Sequence, residues 1–396
     1  MARPWESAPG VPFYRDLKYR SIALQIGLCA ALGYLAYIAI QTAAENLARS
    51  HVASGFGFWN VVAGFDISQT LIAYSPQTST YGRAFWVGLL NTLVVAALGI
   101  VFATILGFTI GVARMSKNFL VERLATCYVE LIRNVPLLLQ LLFWYNAVLK
   151  ALPEFAASFV LPGGVLLNNR GLFLPRPLFT EDTYILAVAA MAVVAVLLGV
   201  VFNKIAGRST GFWGAIGVRA PITLLIVVAL PVTVFILAGV PVEFDYPQVG
   251  RFNVRGGLEV LPEFVALLLG LVVYTAAFIA EVVRAGLMSV SRGQTEAAQA
   301  LGLTRLQTLR LIVIPQAMRV IIPPLTSQYL NLTKNSSLAV AIGYPDLVQI
   351  FTGTVANQTN QPVEVVVITM VVYLSFSLIT SLVMNLYNAR YALVER

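Results

Sequence analysis

The sequence predicts an all-α integral membrane protein with about eight transmembrane helices, and three observations carry that prediction. Of its 396 residues, 58% are hydrophobic and 11% charged, with a mean hydropathy of +0.81, whereas a soluble globular chain carries about 25% charged residues. The apolar residues gather into charge-free runs of the length a bilayer requires. Lysine and arginine are shared unevenly between the loops joining those runs. Together these features exclude a soluble enzyme. Cys29 and Cys127 both sit in apolar stretches, so no disulfide framework is available, and the single histidine, His51, leaves no zinc set.

A helix crossing a hydrocarbon core of ~30 Å needs about 20 mostly apolar residues, because it rises ~1.5 Å per residue. Five runs meet this without charge, Ser21–Ala44, Ala84–Ala113, Thr183–Asn203, Ala220–Val242 and Val365–Ala389, and a sixth, about Leu261–Val283, carries only Glu263 and Glu281 near its ends. Two more, Leu124–Leu149 and Leu325–Tyr344, are long and apolar but contain charged residues. Basic Arg15, Lys18 and Arg20 precede the first run as they would in a signal peptide, but its length exceeds the usual apolar region of ~7–15 residues, so it is read as an anchor.

With the N-terminus inside, the alternate loops on that side hold Arg3, Arg15, Lys18 and Arg20, then Arg114, Lys117 and Arg123, then Lys204, Arg208 and Arg219. Arg284, Arg292, Arg305, Arg310, Arg319, Arg390 and Arg396 complete the set. The opposite side holds only Arg49, Arg170, Arg176, Arg251 and Arg255. The positive-inside rule therefore predicts both termini in the cytoplasm. The same asymmetry accounts for the net charge of +8 without a nucleic-acid partner.

The longest predicted cytoplasmic segment between spans, about Arg284 to Pro323, has helix punctuation. Ser291 with Gln294, and Thr304 with Gln307, have the spacing of capping boxes, in which side chains satisfy the free N–H groups of a helix start. Gly302 lies where a helix ending at Leu301 wants a residue able to adopt positive φ. Pro315 is expected to end the second helix, and Pro323-Pro324 to restart the chain. Two short helices around a glycine turn suit three roles. A DNA-binding helix-turn-helix is disfavoured, because one copy pinned between spans cannot reach a major groove. A structural connector is the plain reading. The sharper one is a docking element for a cytoplasmic subunit, with Ala297, Ala298 and Ala300 permitting close approach and Glu296 supplying an orienting charge.

The order Glu296-Ala297-Ala298, three residues, Gly302, nine residues, then Ile312-Val313-Ile314-Pro315 resembles the EAA motif of ABC-importer permeases, with Ile314 where that family usually has leucine. Ala280 to Gly286, Gly293-Gln294, Arg133 to Leu137 and Lys334 to Leu338 are similar to the polar amino-acid uptake subfamily, which commonly shows Gly-Thr where this chain has Asn134-Val135. The resemblance covers roughly 84–150 and 260–390. It implies a type I importer core of five helices, enlarged by an N-terminal anchor and a two-helix insertion, as in general L-amino-acid permeases of the Aap or Bzt type.

The divisions that follow are 1–83 for the tail, first span and periplasmic segment; 84–150 for the first part of the core; 151–259 for the insertion; and 260–396 for the rest, with the coupling loop at 284–323. The resemblance further implies a bacterial inner membrane and ATP with Mg²⁺ on two cytoplasmic ABC ATPase subunits. A second related permease subunit, or a second copy of this chain, and a periplasmic amino-acid-binding protein complete the complex. In that comparison Glu296, Ala297, Ala298, Gly302, Arg305 and Pro315 form the ATPase-coupling set. The chain itself has no Gly-Lys-Ser/Thr phosphate loop.

Charged side chains in a span cost at least about 2.5–3.5 kcal/mol at the bilayer centre, so they normally face a bundle interior or a wet cavity. On the seventh run Ser327, Asn331, Lys334, Asn335 and Leu338 share one helical face. On the third, Glu130, Arg133, Asn134, Leu137 and Gln140 share another, with Pro136 loosening the helix. Their bland readings are a Glu130–Arg133 pair at the interface and a snorkelling Lys334. Their functional reading is an amino-acid path, with Lys334 or Arg133 meeting the carboxylate, Asn331 and Asn335 the other polar groups, and Asn146 and Gln140 in lesser roles. Glu281 and Arg284 read as a structural pair beside the docking helices. An ion-coupled secondary carrier is the rival, although it leaves the docking motif unexplained. A membrane enzyme is disfavoured, because Lys334 does not face Ser336 or Ser337 on a helix.

Overall fold

The computed structural model describes residues 17–49, 55–179, 242–251 and 253–391. The expected span Thr183–Asn203, and Ala220–Val242 except for its last residue, lie outside them, as does His51. Among the described residues five helices are long and apolar enough to cross a membrane, or six if one bent pair forms a single span.

Helix α1, Leu17–Arg49, carries the first expected span and leaves its apolar side chains exposed. Residues 55–80 form an ordered approach to α2, Tyr81–Ala113, whose start is capped by the Thr80 hydroxyl accepting from Arg83 N at 3.3 Å. Helix α5, Pro262–Met288, lies along α2, and small residues explain how closely they meet. A Cβ on Gly107 would fall 2.6 Å from Ile279 Cβ, and one on Gly111 2.8 Å from the Ala280 carbonyl oxygen. Because 107 meets 279 and 111 meets 280 and 283, the two helices run in the same direction.

The third expected span is not one straight helix. Helix α3, Phe119–Asn134, is capped by Asn118 Oδ1, which accepts from Leu120 N and Val121 N. The chain then extends through Val135 and Pro136, and α4, Leu137–Leu142, continues as π-helix to Leu149. The two parts are bent by 105°. The residue before a proline is driven out of the helical region, so Glu130, Arg133 and Asn134 lie on one segment and Gln140 on another. The expected single stripe is thereby divided.

Short strands, which the sequence did not predict in an all-α chain, flank the undescribed 180–241. Strands β1 (Phe159–Leu161), β2 (Val165–Asn168), β3 (Gly171–Leu174) and β8 (Leu258–Val260) make an antiparallel sheet in that order. Strand β4 (Arg176–Phe179) pairs with β5 (Val242–Asp245), so Val242 belongs to a strand rather than a span. Strand β6 (Gln248–Val249) pairs with β7 (Val254–Arg255).

After α5 come α6, Arg292–Ala300, and α7, Arg305–Thr308, which passes through a π-helical stretch, Leu309–Val313, into α8, Ile314–Asn335. The expected stop at Pro315 and restart at Pro323-Pro324 do not occur. Pro315 falls in the first turn of α8, where a missing N–H costs little, and Pro323 and Pro324 lie inside it. A 3₁₀ segment, Ser336–Ile342, ends at Gly343 with φ +79°. A second π stretch, Gln349–Val355, and the short α9, Ala356–Thr359, lead to α10, Pro362–Tyr391. Met370, Leu374, Leu378 and Ile379 of α10 stay exposed, as a lipid-facing side requires.

Three buried clusters follow one another along α2. Phe58, Phe85 and Phe351 occupy the end near its start, then Val95, Leu141, Leu267 and Tyr344, then Ala103, Ile279, Ile321 and Leu332.

Candidate functional site

The elbow between α6 and α7 is built from three local features. Gly302 has φ +76°, a conformation L-residues avoid. Its N–H donates to Gln299 O at 2.9 Å and that of Leu303 to Ala298 O at 3.1 Å, the Schellman pattern that satisfies the last helical carbonyls. Thr304 then starts α7 with the expected capping box: Gln307 N donates to Thr304 Oγ1 at 3.3 Å and Thr304 N to Gln307 Oε1 at 2.9 Å. The expected Ser291–Gln294 box is different. Ser291 is the cap residue, but its hydroxyl makes no cap bond and Gln294 N donates instead to the Ser291 carbonyl at 3.1 Å. Serine here supplies the extended backbone that enters the helix, with no side-chain bond.

The elbow's surface divides sharply. Ala298 and Thr308 are buried, whereas Glu296, Ala297, Gly302, Arg305 and Pro315 are exposed. Beside them Leu301 is 81% and Leu306 68% exposed. These two leucines were not among the sequence candidates. Leu301 could have been found from its position as the residue before the C-terminal glycine. Gln316 Nε2 donates to Gln294 Oε1 at 3.3 Å, tying the elbow to the start of α8.

A cluster of charges lies between α2, α3 and α5. Arg114, directly after α2, hydrogen-bonds Glu281, with only 8% of its side chain exposed. Arg284 meets the same carboxylate at 2.6 Å and Arg133 Nη1 stands 3.8 Å from it. Glu130 is 4.0 Å from Arg114. Glu130 and Arg133 are thus joined through Arg114 and Glu281 and make no pair of their own, and the Arg133 guanidinium lies 5.1 Å from the centre of the Phe278 ring. Glu281 and Arg284 do pair. Arg114 was missed by sequence reasoning because its partners come from two other helices.

The remaining polar candidates separate into two groups. Gln140 is buried, and its Nε2 donates to the carbonyls of Ile132 and Val135, both at 2.9 Å. It thereby satisfies acceptors that the break at Pro136 leaves open. Asn134 donates to Glu130 O at 2.7 Å and Asn146 to Leu142 O at 3.1 Å. Ser327, Asn331 and Lys334 are exposed along one side of α8, and Asn335 is half-buried beside them. Lys334 borders a cleft of ≈ 330 Å³ between the end of α8, the second π stretch and α10.

Behind that cleft the segment after Gly343 is clamped to its neighbours. Asn91 Nδ2 donates to Pro345 O at 2.8 Å and Thr92 Oγ1 accepts from Leu347 N at 3.0 Å. Asp346 is fully buried; its Oδ1 accepts from Gln349 N at 2.8 Å, and its Oδ2 from the Tyr373 hydroxyl at 3.3 Å. Burial pushes the Asp346 carboxyl up to about 7. Sequence reasoning missed Asp346 and Tyr373, since neither forms a motif until α10 packs on the loop. Among the described residues no cluster of histidine, cysteine, aspartate or glutamate is arranged to hold a metal.

Long apolar helices packed along one another and joined by an exposed, capped elbow define a multi-pass membrane protein. The chain belongs to the family of binding-protein-dependent transport system inner membrane components, whose pattern matches residues 99–393. It is 50% identical over 382 residues to the general L-amino acid transport system permease protein AapQ of Rhizobium johnstonii, covering 96% of this chain and 94% of that protein. It is 41% identical over 411 residues to the glutamate/glutamine/aspartate/asparagine transport system permease protein BztB of Rhodobacter capsulatus, covering 96% of each.

Proposed function

We propose that this chain is the membrane-spanning permease subunit of an ATP-driven ABC importer that carries L-amino acids, polar ones among a broad range, from periplasm to cytoplasm by alternating access. The observation that carries the reading is the elbow: Leu301 and Leu306 stand exposed on either side of a fixed glycine turn, an apolar pair offered to a partner. The substrate class is supported by AapQ and BztB, which belong to general L-amino acid and glutamate/glutamine/aspartate/asparagine transport systems. The lysine and arginine asymmetry supports cytoplasmic termini and an elbow on the cytoplasmic side.

In this reading two cytoplasmic ABC ATPases dock at the elbows of this chain and of a second, related permease subunit. ATP and Mg²⁺ bind to those ATPases, and a periplasmic binding protein delivers the amino acid. Closure of the ATPases moves α6 and α7, and the Gln294–Gln316 bond and the Arg114 cluster pass that movement to α8, α2 and α3. The division into anchor, two core parts and an insertion at 151–259 belongs to the same reading, with the insertion adjusting the outer docking surface. An ion-coupled carrier has no use for an exposed elbow.

The test is reconstitution of the complex purified in mild detergent from native membranes, with the binding protein and L-amino acid outside the liposomes. Uptake that requires ATP in the lumen and persists when ion gradients are dissipated is expected. Uptake driven by an ion gradient without ATP would overturn the proposal.

A further inference from the structure

Helix α3 has a side that no described residue covers, and its direction decides what meets it. Leu141 packs on Gly270, and the Tyr145 hydroxyl donates to Glu263 Oε1 at 2.6 Å, so α4 and its π continuation run antiparallel to α5, a helix able to cross the membrane. The 105° bend at Pro136 then turns α3 close to the membrane plane. Ala125 and Val129 bury its inner side, and the Tyr128 hydroxyl donates to Val273 O at 2.6 Å. Leu120, Leu124, Cys127 and Leu131 form an exposed apolar row along one helical face, the three leucines being 62, 63 and 62% exposed. Beside it a polar row runs through Arg123, Glu130 and Asn134, all exposed.

An apolar row next to a polar one, on a helix lying in the membrane plane, fits the boundary between acyl chains and headgroups. The charge there is positive: Arg114, Lys117, Arg123, Arg133 and Arg284 outnumber Glu122, Glu130 and Glu281. Arg114 and Arg284 are taken up by Glu281. Lys117 is exposed just before the helix, and the Arg123 side chain is 65% exposed. Glu122 stands 3.7 Å from Arg123, a surface pairing too weak to keep the guanidinium from a phosphate. We propose that α3 is a docking surface for anionic phospholipid, with Lys117 and Arg123 on headgroup phosphates and Leu120, Leu124 and Leu131 against the acyl chains. Charge complementarity selects this occupant, because an apolar helix of another subunit would cover the leucines and leave both cations unmatched. The proposal needs only that α5 cross a membrane, and is independent of what the chain transports and of what meets the elbow.

The experiment places the purified full-length chain, with the subunits that accompany it, in phosphatidylcholine nanodiscs. These contain a trace of photoactivatable phosphatidylglycerol or, in a parallel sample, photoactivatable phosphatidylcholine, each with the reactive group on an acyl chain. Labelled peptides are quantified after proteolysis, and the exposed row Met370, Leu374 and Leu378 of α10 serves as the reference within each sample. The ratio of α3 to α10 labelling is expected to be about tenfold or more higher with phosphatidylglycerol, since each cation near an anionic lipid contributes about fivefold. Lys117→Gln with Arg123→Gln should bring the two lipids within about twofold of each other. Glu122→Gln should raise the preference, a gain that unfolding does not produce. Equal α3 labelling by the two lipids in the parent, or a preference unchanged in the double variant, would overturn the proposal. Labelling of α10 by both lipids and of α3 by neither would assign this face to a helix of another subunit, and would overturn it as well.

Discussion

Arg114 and Glu281 meet at the junction of α2 and α5, and the arginine side chain is almost wholly buried there. A helix that ends at Ala113 would otherwise leave a charged residue without water. Glu281 resolves this while also holding Arg284, so one carboxylate joins two cations from different parts of the chain. Arg114→Met and Glu281→Gln should each cost about 1–3 kcal/mol, the range for hydrogen bonds to charged groups and for a group left unsatisfied. The double variant should cost less than the sum, because the two changes remove one shared contact. Thermal unfolding of the four proteins in one detergent measures the cycle; additive losses would contradict the shared contact.

Gln140 fills the hydrogen-bonding gap made by Pro136. Gln140→Leu keeps the apolar bulk and leaves the Ile132 and Val135 carbonyls without their donor, a loss of about 1–3 kcal/mol. Unfolding midpoints of the variant and parent test this, and an unchanged midpoint would remove Gln140 from its bridging role.

The contact of α2 with α5 is limited by space at Gly107. Gly107→Ala should destabilise by about 1–3 kcal/mol through overpacking against Ile279. Adding Ile279→Ala should recover part of the loss, since the obstructing atoms include its Cγ2. Gly302→Ala meets no neighbouring atom and should cost about 1–2 kcal/mol by its backbone conformation alone, with no rescue from a packing change. Stability measurements on these variants separate the two causes.

Asp346 imposes a pH dependence. Burial raises its folded-state value to about 7, from 3.8 for a free side chain. Between these values the folded chain binds more protons than the unfolded one, so this group's contribution to stability falls as pH rises from about 4 to about 7. Asp346→Asn keeps an acceptor and a donor in place of the protonated acid and removes the titration. Melting curves at pH 5 and pH 8 should therefore show the variant gaining on the parent as pH increases. A constant difference would contradict the raised value.

Local rules made part of this architecture legible. Gly302 and the Thr304–Gln307 box are short-range features, and the backbone takes the conformations that their chemistry demands. The charge-free runs likewise become long helices wherever they fall among the described residues. The bend at Pro136 was only half legible: proline announced a loosened helix, but the 105° turn depends on Leu137 and Leu141 finding the core formed by Val95 and Leu267. Pro315 and Pro323 misled in the opposite direction, because π-helical winding before α8 and packing of Ile321 and Ile322 carry the helix past them. The strands around 155–179 and 242–260 escaped notice because each is too short for its alternation to register. Arg114, Asp346 and Tyr373 acquire partners only across helices, which periodicity along one helix cannot reveal.

The central claim is that the elbow at Gly302 receives an ATPase. Leu301 is the most direct probe, since at 81% exposure its replacement leaves the core of the chain untouched. Tagged parent and Leu301→Asp proteins would be purified side by side in mild detergent and the co-purifying ATP-hydrolysing subunit quantified, with unfolding midpoints recorded as a check on folding. The account predicts that the parent retains the subunit, and that the variant loses most of it at an unchanged midpoint. Full retention by Leu301→Asp would contradict docking at this surface.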